Sequence, residues 1–194
     1  WILATPPIVP ATGDVVEYQA TIRLMHVESG CVLHSHTPRY NTGSFQQEVT
    51  CFEGSEMNDI WIIIVAFGNN GATVHVRHDD IVRLTHSSTG ANLHTHQDIS
   101  SPATQQQETT AFGENGRGDS NDNWKVDLMG NGDVLTLGME FRLLHVNTGY
   151  ALHSHAGHYT PVTGQQEVTS FWDRDSNDYW VVDCFAEANF TQPY

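Results

Sequence analysis

Leu33-His34-Ser35-His36 is the stretch of sequence that decides the fold, because it occurs three times along the chain. The other two copies are Leu93-His94-Thr95-His96 and Leu152-His153-Ser154-His155. A motif that recurs at a period of some tens of residues indicates one supersecondary unit used several times. The sequence therefore predicts a single domain made of three similar units.

Further blocks recur in register around each copy of this motif. An Arg-Leu-x-His block precedes it, a Gln-Gln-Glu block follows it, and an Asn-Asp-x-Trp block closes the unit. The arginines that open the first blocks, Arg23, Arg83 and Arg142, lie 60 and then 59 residues apart. We place the units at about 20–79, 80–139 and 140–185.

Each unit is predicted to contain four short strands. In the first unit, alternating apolar and polar residues mark the strands Thr21–Val27, Val32–His36, Glu48–Phe52 and Ile60–Val65. A glycine recurs at one place in each unit, at positions 30, 90 and 149, where a hairpin turn needs a positive φ. Four strands in three units give about twelve, an all-β domain. Closing them into a barrel would remove exposed sheet edges.

The composition excludes several classes of partner. A formal net charge of −15 disfavours nucleic acid and anionic membrane surfaces, both of which attract basic patches. The longest apolar run, Ile60–Phe67, is the size of a strand and far short of a membrane helix. The chain starts at Trp1 without an initiator methionine or signal peptide, so we expect a processed mature form or an excised domain.

The two ends of the chain lie outside the repeats. Residues 1–19 are rich in proline and are predicted to form a loose tail, or an arm that docks on this domain or a neighbouring one. The tail, 186–194, contains Asn189-Phe190-Thr191, which makes Asn189 an N-glycosylation acceptor if the protein is secreted.

Cys31 and Cys51 occur together in the first unit alone. If His34 and Glu48 face each other across the hairpin, the two cysteines face each other as well. A disulfide is the favoured interpretation and would favour an oxidising compartment, while two free buried thiols are the alternative. Cys184 is left over, either buried or available for an intermolecular bond. The matching positions in the other units hold Ala91 and Ala111, then Tyr150 and Ser170.

The repeated histidines invite a metal hypothesis, but the pattern favours a structural role. His34 and His36 lie on the same face of an extended strand, and H-x-H spacing can chelate zinc or copper. However, no cysteine or carboxylate recurs at the spacing of a third ligand. We expect imidazole and carboxamide groups to satisfy backbone groups of the hairpin, with Glu48 holding His34 or His36 in one tautomer. Neither a metal nor a cofactor is predicted.

No catalytic residue is predicted either. The sequence lacks a nucleophile elbow, a phosphate-binding glycine loop and a zinc-protease helix motif. Most carboxylates cluster in acidic turns, which we expect to be solvated loops, at Asp59, 119–122 and 173–178. Trp61, Trp124 and Trp180 are predicted to fill the core of the barrel.

The combination of Leu-His-Ser-His, Gln-Gln-Glu-Val-Thr and Asn-Asp-x-Trp resembles the MIR domain, over residues 21 to about 184. Protein O-mannosyltransferases, inositol trisphosphate receptors, ryanodine receptors and the stromal cell-derived factor two family share that module. The resemblance implies a β-trefoil of three pseudo-symmetric four-strand repeats. The second unit is similar to the second repeat of the stromal cell-derived factor group. The intact third repeat and the C-terminal residues 191–194, which are not the retention tetrapeptide usual in that group, also suit an O-mannosyltransferase domain.

The resemblance implies a non-catalytic module of the secretory pathway, in the endoplasmic reticulum lumen or outside the cell, that binds glycan or polypeptide. It would be at most a non-catalytic domain of a glycosyltransferase. The alternative is a structural subunit of an extracellular assembly or filament that self-associates through residues 1–19. The candidate ligand contacts are polar side chains at repeated positions, namely His34, His36, Gln47, His94, His96, Gln107, His153, His155 and Gln166.

Overall fold

The computed structural model describes residues 13–68, 74–113 and 117–185. They form twelve strands, four in each predicted unit. A 3-10 turn precedes the last strand of each unit, at Met57–Asp59, Ser120–Asp122 and Ser176–Asp178. The strands are β1 Thr21–His26, β2 Val32–Arg39, β3 Gln47–Phe52, β4 Ile60–Val65, β5 Ile81–His86, β6 Asn92–Ser100, β7 Gln107–Phe112, β8 Trp124–Leu128, β9 Phe141–His145, β10 Ala151–Tyr159, β11 Gln166–Phe171 and β12 Trp180–Phe185.

The first and last strands of the three units close a barrel. β1 pairs with β4, β4 with β5, β5 with β8, β8 with β9, β9 with β12, and β12 with β1, all antiparallel. The ring satisfies both edges of every member strand, so none is left as a template for aggregation.

The two middle strands of each unit form a hairpin, and the three hairpins join one another. The inner strands β3, β7 and β11 pair with each other around the pseudo-three-fold axis. Single bridges tie β2, β6 and β10 to the barrel strands that precede them. A six-stranded barrel with a triplet of hairpins is a β-trefoil, which confirms the predicted fold class.

Three tryptophans fill the barrel, as predicted. Trp61, Trp124 and Trp180 are fully buried at the starts of β4, β8 and β12. Each indole Nε1 donates to a backbone carbonyl of the hairpin strand in its own unit, at 2.9–3.0 Å: Leu33 O, Leu93 O and Leu152 O. The tryptophan therefore satisfies its polar atom and fixes the hairpin to the barrel in a single contact.

The repeated glycines occupy tight turns. Gly30, Gly90 and Gly149 have φ values of 72°, 71° and 72°, and each backbone N–H donates to the carbonyl of the histidine four residues earlier. Side chains strain this left-handed region, so glycine is the residue that fits. The predicted positive φ is confirmed.

Cys31 and Cys51 form the predicted disulfide, with Cα atoms 5.3 Å apart. The register on which that prediction depended is wrong by two residues, because His34 faces Thr50 rather than Glu48. The ladder is also irregular between Ser35 and Arg39, so the register changes again before Arg39 pairs with Gln47. A shift of two keeps every side chain on its face of the sheet, so the cysteines still meet on a diagonal.

The structure describes only part of the two chain ends. Val16 is buried and its N–H donates to Leu135 O at 2.9 Å, so the inner end of the predicted arm packs on the barrel. Residues 1–12 and 186–194, and with them Asn189, lie outside the described residues and stay predictions. Within the described ranges, no helix is long and apolar enough to cross a membrane.

Replacing both Cys31 and Cys51 by alanine is expected to lower the free energy of unfolding by about 3 kcal/mol, because the disulfide closes a chain segment of 20 residues. The second unit has Ala91 and Ala111 at these positions, so the site accepts alanine pairs without repacking. Urea unfolding with and without reductant measures the loss. Cys184→Ala serves as the control, and equal stability of the double variant and wild type under oxidising conditions would contradict the assignment.

Candidate functional site

Each unit contains a buried carboxylate paired with the first histidine of the repeated motif. Asp59, Asp122 and Asp178 have no exposed surface, and each accepts a hydrogen bond from a histidine Nδ1. The Nδ1–Oδ1 distances are 2.8, 2.8 and 3.0 Å for His34–Asp59, His94–Asp122 and His153–Asp178. The second carboxylate oxygen accepts a backbone N–H three residues earlier, from Glu56, Asp119 or Asp175.

This geometry corrects the expectation that the acidic turns are solvated loops. The 3-10 turn directs its third residue inward, where the carboxylate caps the turn and reaches the histidine. The neighbouring Asp173 and Asp175 are exposed, as expected. The inward carboxylate is the aspartate of the Asn-Asp-x-Trp block, which recurs in all three units, and this repetition was the sequence signal that marked it.

The expectation that no carboxylate recurs at the spacing of a third ligand is wrong, because two of these clusters have the donor atoms of a metal site. His94 with Asp119 and Asp122, and His153 with Asp175 and Asp178, bring one nitrogen and two carboxylate oxygens within 4.8 Å of one another. In both clusters, however, the histidine donates to one carboxylate and the backbone of the turn donates to both. A cation would have to replace the hydrogen bonds that form the turn.

The second histidine of each motif shares a face with the first, as predicted. Ring centroids lie 5.0 Å apart for His34 and His36, with similar separations in the other units. His36 donates from Nε2 to Glu48 Oε2 at 2.9 Å, so Glu48 holds His36 rather than His34.

The equivalent glutamates of the other units contact a neighbouring hairpin loop instead. Glu108 accepts from the backbone N–H of Ser44, and Glu167 accepts from those of Ala103 and Thr104. Burial raises the pKa of Glu108 above its ordinary value. These carboxylates therefore connect one unit to the next.

The repeated glutamines also join the units, but not equally. Gln47 donates from Nε2 to Ser35 in its own hairpin and to Thr89 in the next unit, and Gln166 makes the same two kinds of contact. Both are buried. Gln107 donates only to Thr95 and is partly exposed.

The nine candidate contacts thus divide by exposure. Five are buried with partners inside the protein: His34, His94, His153, Gln47 and Gln166. Four reach the surface in part: His36, His96, His155 and Gln107. A role in ligand binding stays a prediction for all nine, and only the second group could contact a ligand without rearrangement.

A further histidine of each unit is buried against a core tryptophan. His26, His86 and His145 are fully buried, with ring centroids 5.0–5.3 Å from Trp180, Trp61 and Trp124. His86 donates from Nε2 to Asn58 O at 3.0 Å, and its Nδ1 accepts from the Thr89 hydroxyl at 2.9 Å. Burial lowers the pKa of His86 and of His145 to about 4, and it also lowers that of His26.

Surface clefts lie at two equivalent junctions between units. The cleft between the first and second units, about 410 Å³, is lined by Arg39, Phe112, Gly113 and Arg117 among others. The cleft between the second and third units, about 390 Å³, is lined by Gln107 together with Tyr150 and Trp172. Trp172 was not among the predicted site residues, although it is the one tryptophan within the described ranges that lies outside the Asn-Asp-x-Trp blocks.

Fold and site together define a β-trefoil module whose repeated polar side chains serve the fold itself. The MIR domain model matches residues 34–168. The chain belongs to the MIR domain family, as its motifs indicated.

Relatives with curated names and solved structures agree with this membership. A stromal cell-derived factor 2-like protein of Dictyostelium discoideum is 38% identical over 173 residues, which cover 85% of this chain and 80% of that protein. The crystal structure of the SDF2-like protein from Arabidopsis thaliana is similar with a TM-score of 0.82 and 33% identity, covering 89% of this chain and 95% of that one. The Pmt1-Pmt2 protein O-mannosyltransferase complex of S. cerevisiae has a TM-score of 0.81 at 28% identity. There the match covers 95% of this chain but 27% of that one.

Asp178→Ala is expected to lower the free energy of unfolding by about 3 kcal/mol, since it leaves the buried His153 Nδ1 without an acceptor and removes the acceptor of the Asp175 N–H. The exposed Asp173, in the same turn, is the matched control, and its alanine variant should stay within about 0.5 kcal/mol of wild type. Urea unfolding at neutral pH measures both. Equal effects in the two variants would refute the role of the buried pair.

Stability should fall as the pH drops from 6.5 towards 4. His86 and His145 have folded pKa values of about 4, below the value of 6.5 in an unfolded chain, so in this range the unfolded state binds more protons. Each contributes on the order of 3 kcal/mol above pH 6.5 that is lost as the pH falls through the folded pKa. The raised pKa of Glu108 acts in the opposite sense and offsets part of the loss.

Urea unfolding at pH 7 and pH 4.5 measures this dependence. The variant His86→Gln should lose less stability between the two values than wild type does, since one of the titrating groups is gone. The exposed His158 is the control, and His158→Gln should keep the wild-type dependence. An unchanged dependence in His86→Gln would count against the assignment.

Proposed function

We propose that this chain is a non-catalytic module of the secretory pathway that binds glycan or polypeptide partners through surfaces between its repeats. One observation carries the proposal: the histidines and carboxylates at the repeated positions are largely engaged in hydrogen bonds inside the fold. His34, His94 and His153 are also buried, which keeps their ring nitrogens out of reach of a substrate for proton transfer. Binding therefore falls to the surface, where the units differ.

The relatives support this assignment. The S. cerevisiae complex is an O-mannosyltransferase, described as bound to its sugar donor, and a chain like this one accounts for about a quarter of its matched subunit. A module within a larger glycan-transferring protein fits a role in recognising a glycan or the polypeptide that carries it. The Cys31–Cys51 disulfide supports an oxidising compartment, either the endoplasmic reticulum lumen or the cell exterior.

The alternative, a structural subunit of an extracellular assembly, depends on residues 1–19. Only residues 13–19 of that segment are described, and there Val16 packs on its own barrel. No observation on the described residues favours contact with a second subunit, so this alternative stays a prediction.

The full chain is expected to bind a subset of a glycan array, or of a peptide library displayed with and without O-linked mannose. Wild-type protein should be compared before and after heat denaturation, so that binding by unfolded protein is recognised. Saturable binding by the folded protein alone supports the proposal. Signal no higher than that of the denatured protein on every glycan and peptide would contradict it.

A further inference from the structure

The cleft between the second and third units differs from its counterpart in the residues that set its chemistry. Where the third unit has Trp172 and Tyr150, the second has Gly113 and Ala91, and the first has Glu53 and Cys31. Two aromatic side chains are therefore added at one junction of an otherwise repeating surface. Trp172 is 65% exposed, and its ring lies against that of Phe171 with centroids 6.0 Å apart.

The polar side chains of this cleft use only some of their donors and acceptors in hydrogen bonds within the protein, and the others are left for a ligand. The side-chain oxygen of Gln106 accepts from the Thr169 hydroxyl, which leaves the amide N–H groups of Gln106. Gln107 donates its N–H to Thr95, which leaves its carbonyl oxygen. In the first and third units the matching glutamine also donates to the next unit and is buried, so the exposure of Gln107 is specific to this junction.

Asp98 adds a carboxylate to the cleft from a strained backbone position. Its φ is 75°, in the left-handed region that side chains rarely adopt, and the matching residue of the third unit is Gly157 with a φ of 91°. A glycine would fit Asp98's position without strain. The first unit has Pro38 at this position, so the left-handed conformation occurs in the second and third units only, and only the second has a carboxylate there.

The charge and polarity of the lining restrict the ligand. No lysine, arginine or histidine is among the described residues that line this cleft, whereas Arg39 and Arg117 line the other one. A net charge of −15 and the Asp98 carboxylate further disfavour an anion. Amide, carboxylate and phenol groups disfavour a purely apolar ligand, because their hydrogen bonds to water would be lost.

A neutral ligand with many hydroxyls and one apolar face meets these restrictions. A pyranose ring presents its C–H bonds on one face, and these carry the slight positive charge that the negative face of an indole attracts. Its hydroxyls both donate and accept, matching the N–H groups of Gln106 and the oxygens of Gln107 and Asp98. A volume of about 390 Å³ is at the lower end of the range for small-molecule sites and suits one or two sugar rings.

We propose that this cleft is a saccharide-binding site, in which a pyranose ring stacks on Trp172 while Asp98, Gln106 and Gln107 bind its hydroxyls. The proposal deepens the proposed function and depends on it for the class of ligand. It places the contact at one junction out of three, so it predicts one sugar bound per chain.

Titration of the full chain with methyl α-D-mannopyranoside and with methyl β-D-galactopyranoside tests the site. Trp61, Trp124 and Trp180 are buried, so quenching by acrylamide reports mainly on Trp172, with the variant Trp172→Phe used to subtract any signal from Trp1. We expect a bound sugar to protect Trp172, with a Kd on the order of 1 mM for a single ring. Protection by at least one of the two sugars is the expected result.

Variants locate the site independently of fluorescence, by NMR or calorimetric titration. Trp172→Ala should weaken binding by about tenfold or more, as loss of an aromatic stacking partner does elsewhere. Phe45, 62% exposed on the hairpin loop of the first unit, is the matched control, and Phe45→Ala should bind as wild type does. Asp98→Gly should weaken binding while its melting temperature stays equal to or above that of wild type, which a purely structural role would not produce.

The outcomes separate this proposal from the broader one. If the protein binds a glycan or peptide but Trp172→Ala binds it equally well, the cleft proposal is wrong and the proposed function stands. If neither methyl glycoside nor any glycan on the array binds, the saccharide site is overturned, while peptide binding would still sustain the module's proposed role. If a peptide rather than a sugar protects Trp172, the ligand class is wrong.

Discussion

The buried hydrogen bond between a turn carboxylate and the first histidine of each motif is the interaction on which the structure depends. In all three units this carboxylate accepts from a histidine on the hairpin and from the backbone of the 3-10 turn. The 3-10 turn fixes the start of the last strand of the unit. The tryptophan of that strand lies in the barrel and donates a hydrogen bond to a backbone carbonyl of the hairpin. A buried carboxylate without hydrogen-bond partners is costly, so loss of this contact is expected to destabilise the fold strongly. It therefore fixes hairpin, turn and barrel in one arrangement.

Repetition and difference carry separate kinds of information in this chain. Side chains that occur in all three units complete each other's hydrogen bonds inside a unit or between neighbours, as Gln47 and Glu167 do. Trp172, which has no counterpart in the other units, is not part of these hydrogen bonds and lies at the surface. The repeated side chains therefore stabilise the fold, and the proposed saccharide site lies where the repeat is broken.

Periodicity was enough to predict the twelve strands, the three tryptophans of the core and the left-handed glycines, because each follows from local pattern or local backbone conformation. The disulfide was also predictable, because a register error of two residues leaves Cys31 and Cys51 on one face of the hairpin. The inward turn of Asp59 and its equivalents was missed, although the aspartate of the Asn-Asp-x-Trp block recurs in all three units. Three-residue turns lack a hydrophobic period, and the choice between solvent and core is made by a histidine some 25 residues away in the chain.

The sequence alone determined that this protein is a three-fold all-β domain, since repeats in register force equivalent units to bury equivalent faces. The order of the motifs within each repeat also identified the MIR family. Only the tertiary structure decided which repeated polar residues remain available, because burial depends on the neighbouring unit rather than on the residue's own strand. Gln47, Gln107 and Gln166 occupy the same place in the Gln-Gln-Glu block, yet among the described clefts only Gln107 lines one. The cleft itself exists because two segments that are remote in sequence meet there, the hairpin loop of the second unit with Gln107 and the third-unit residues Tyr150 and Trp172.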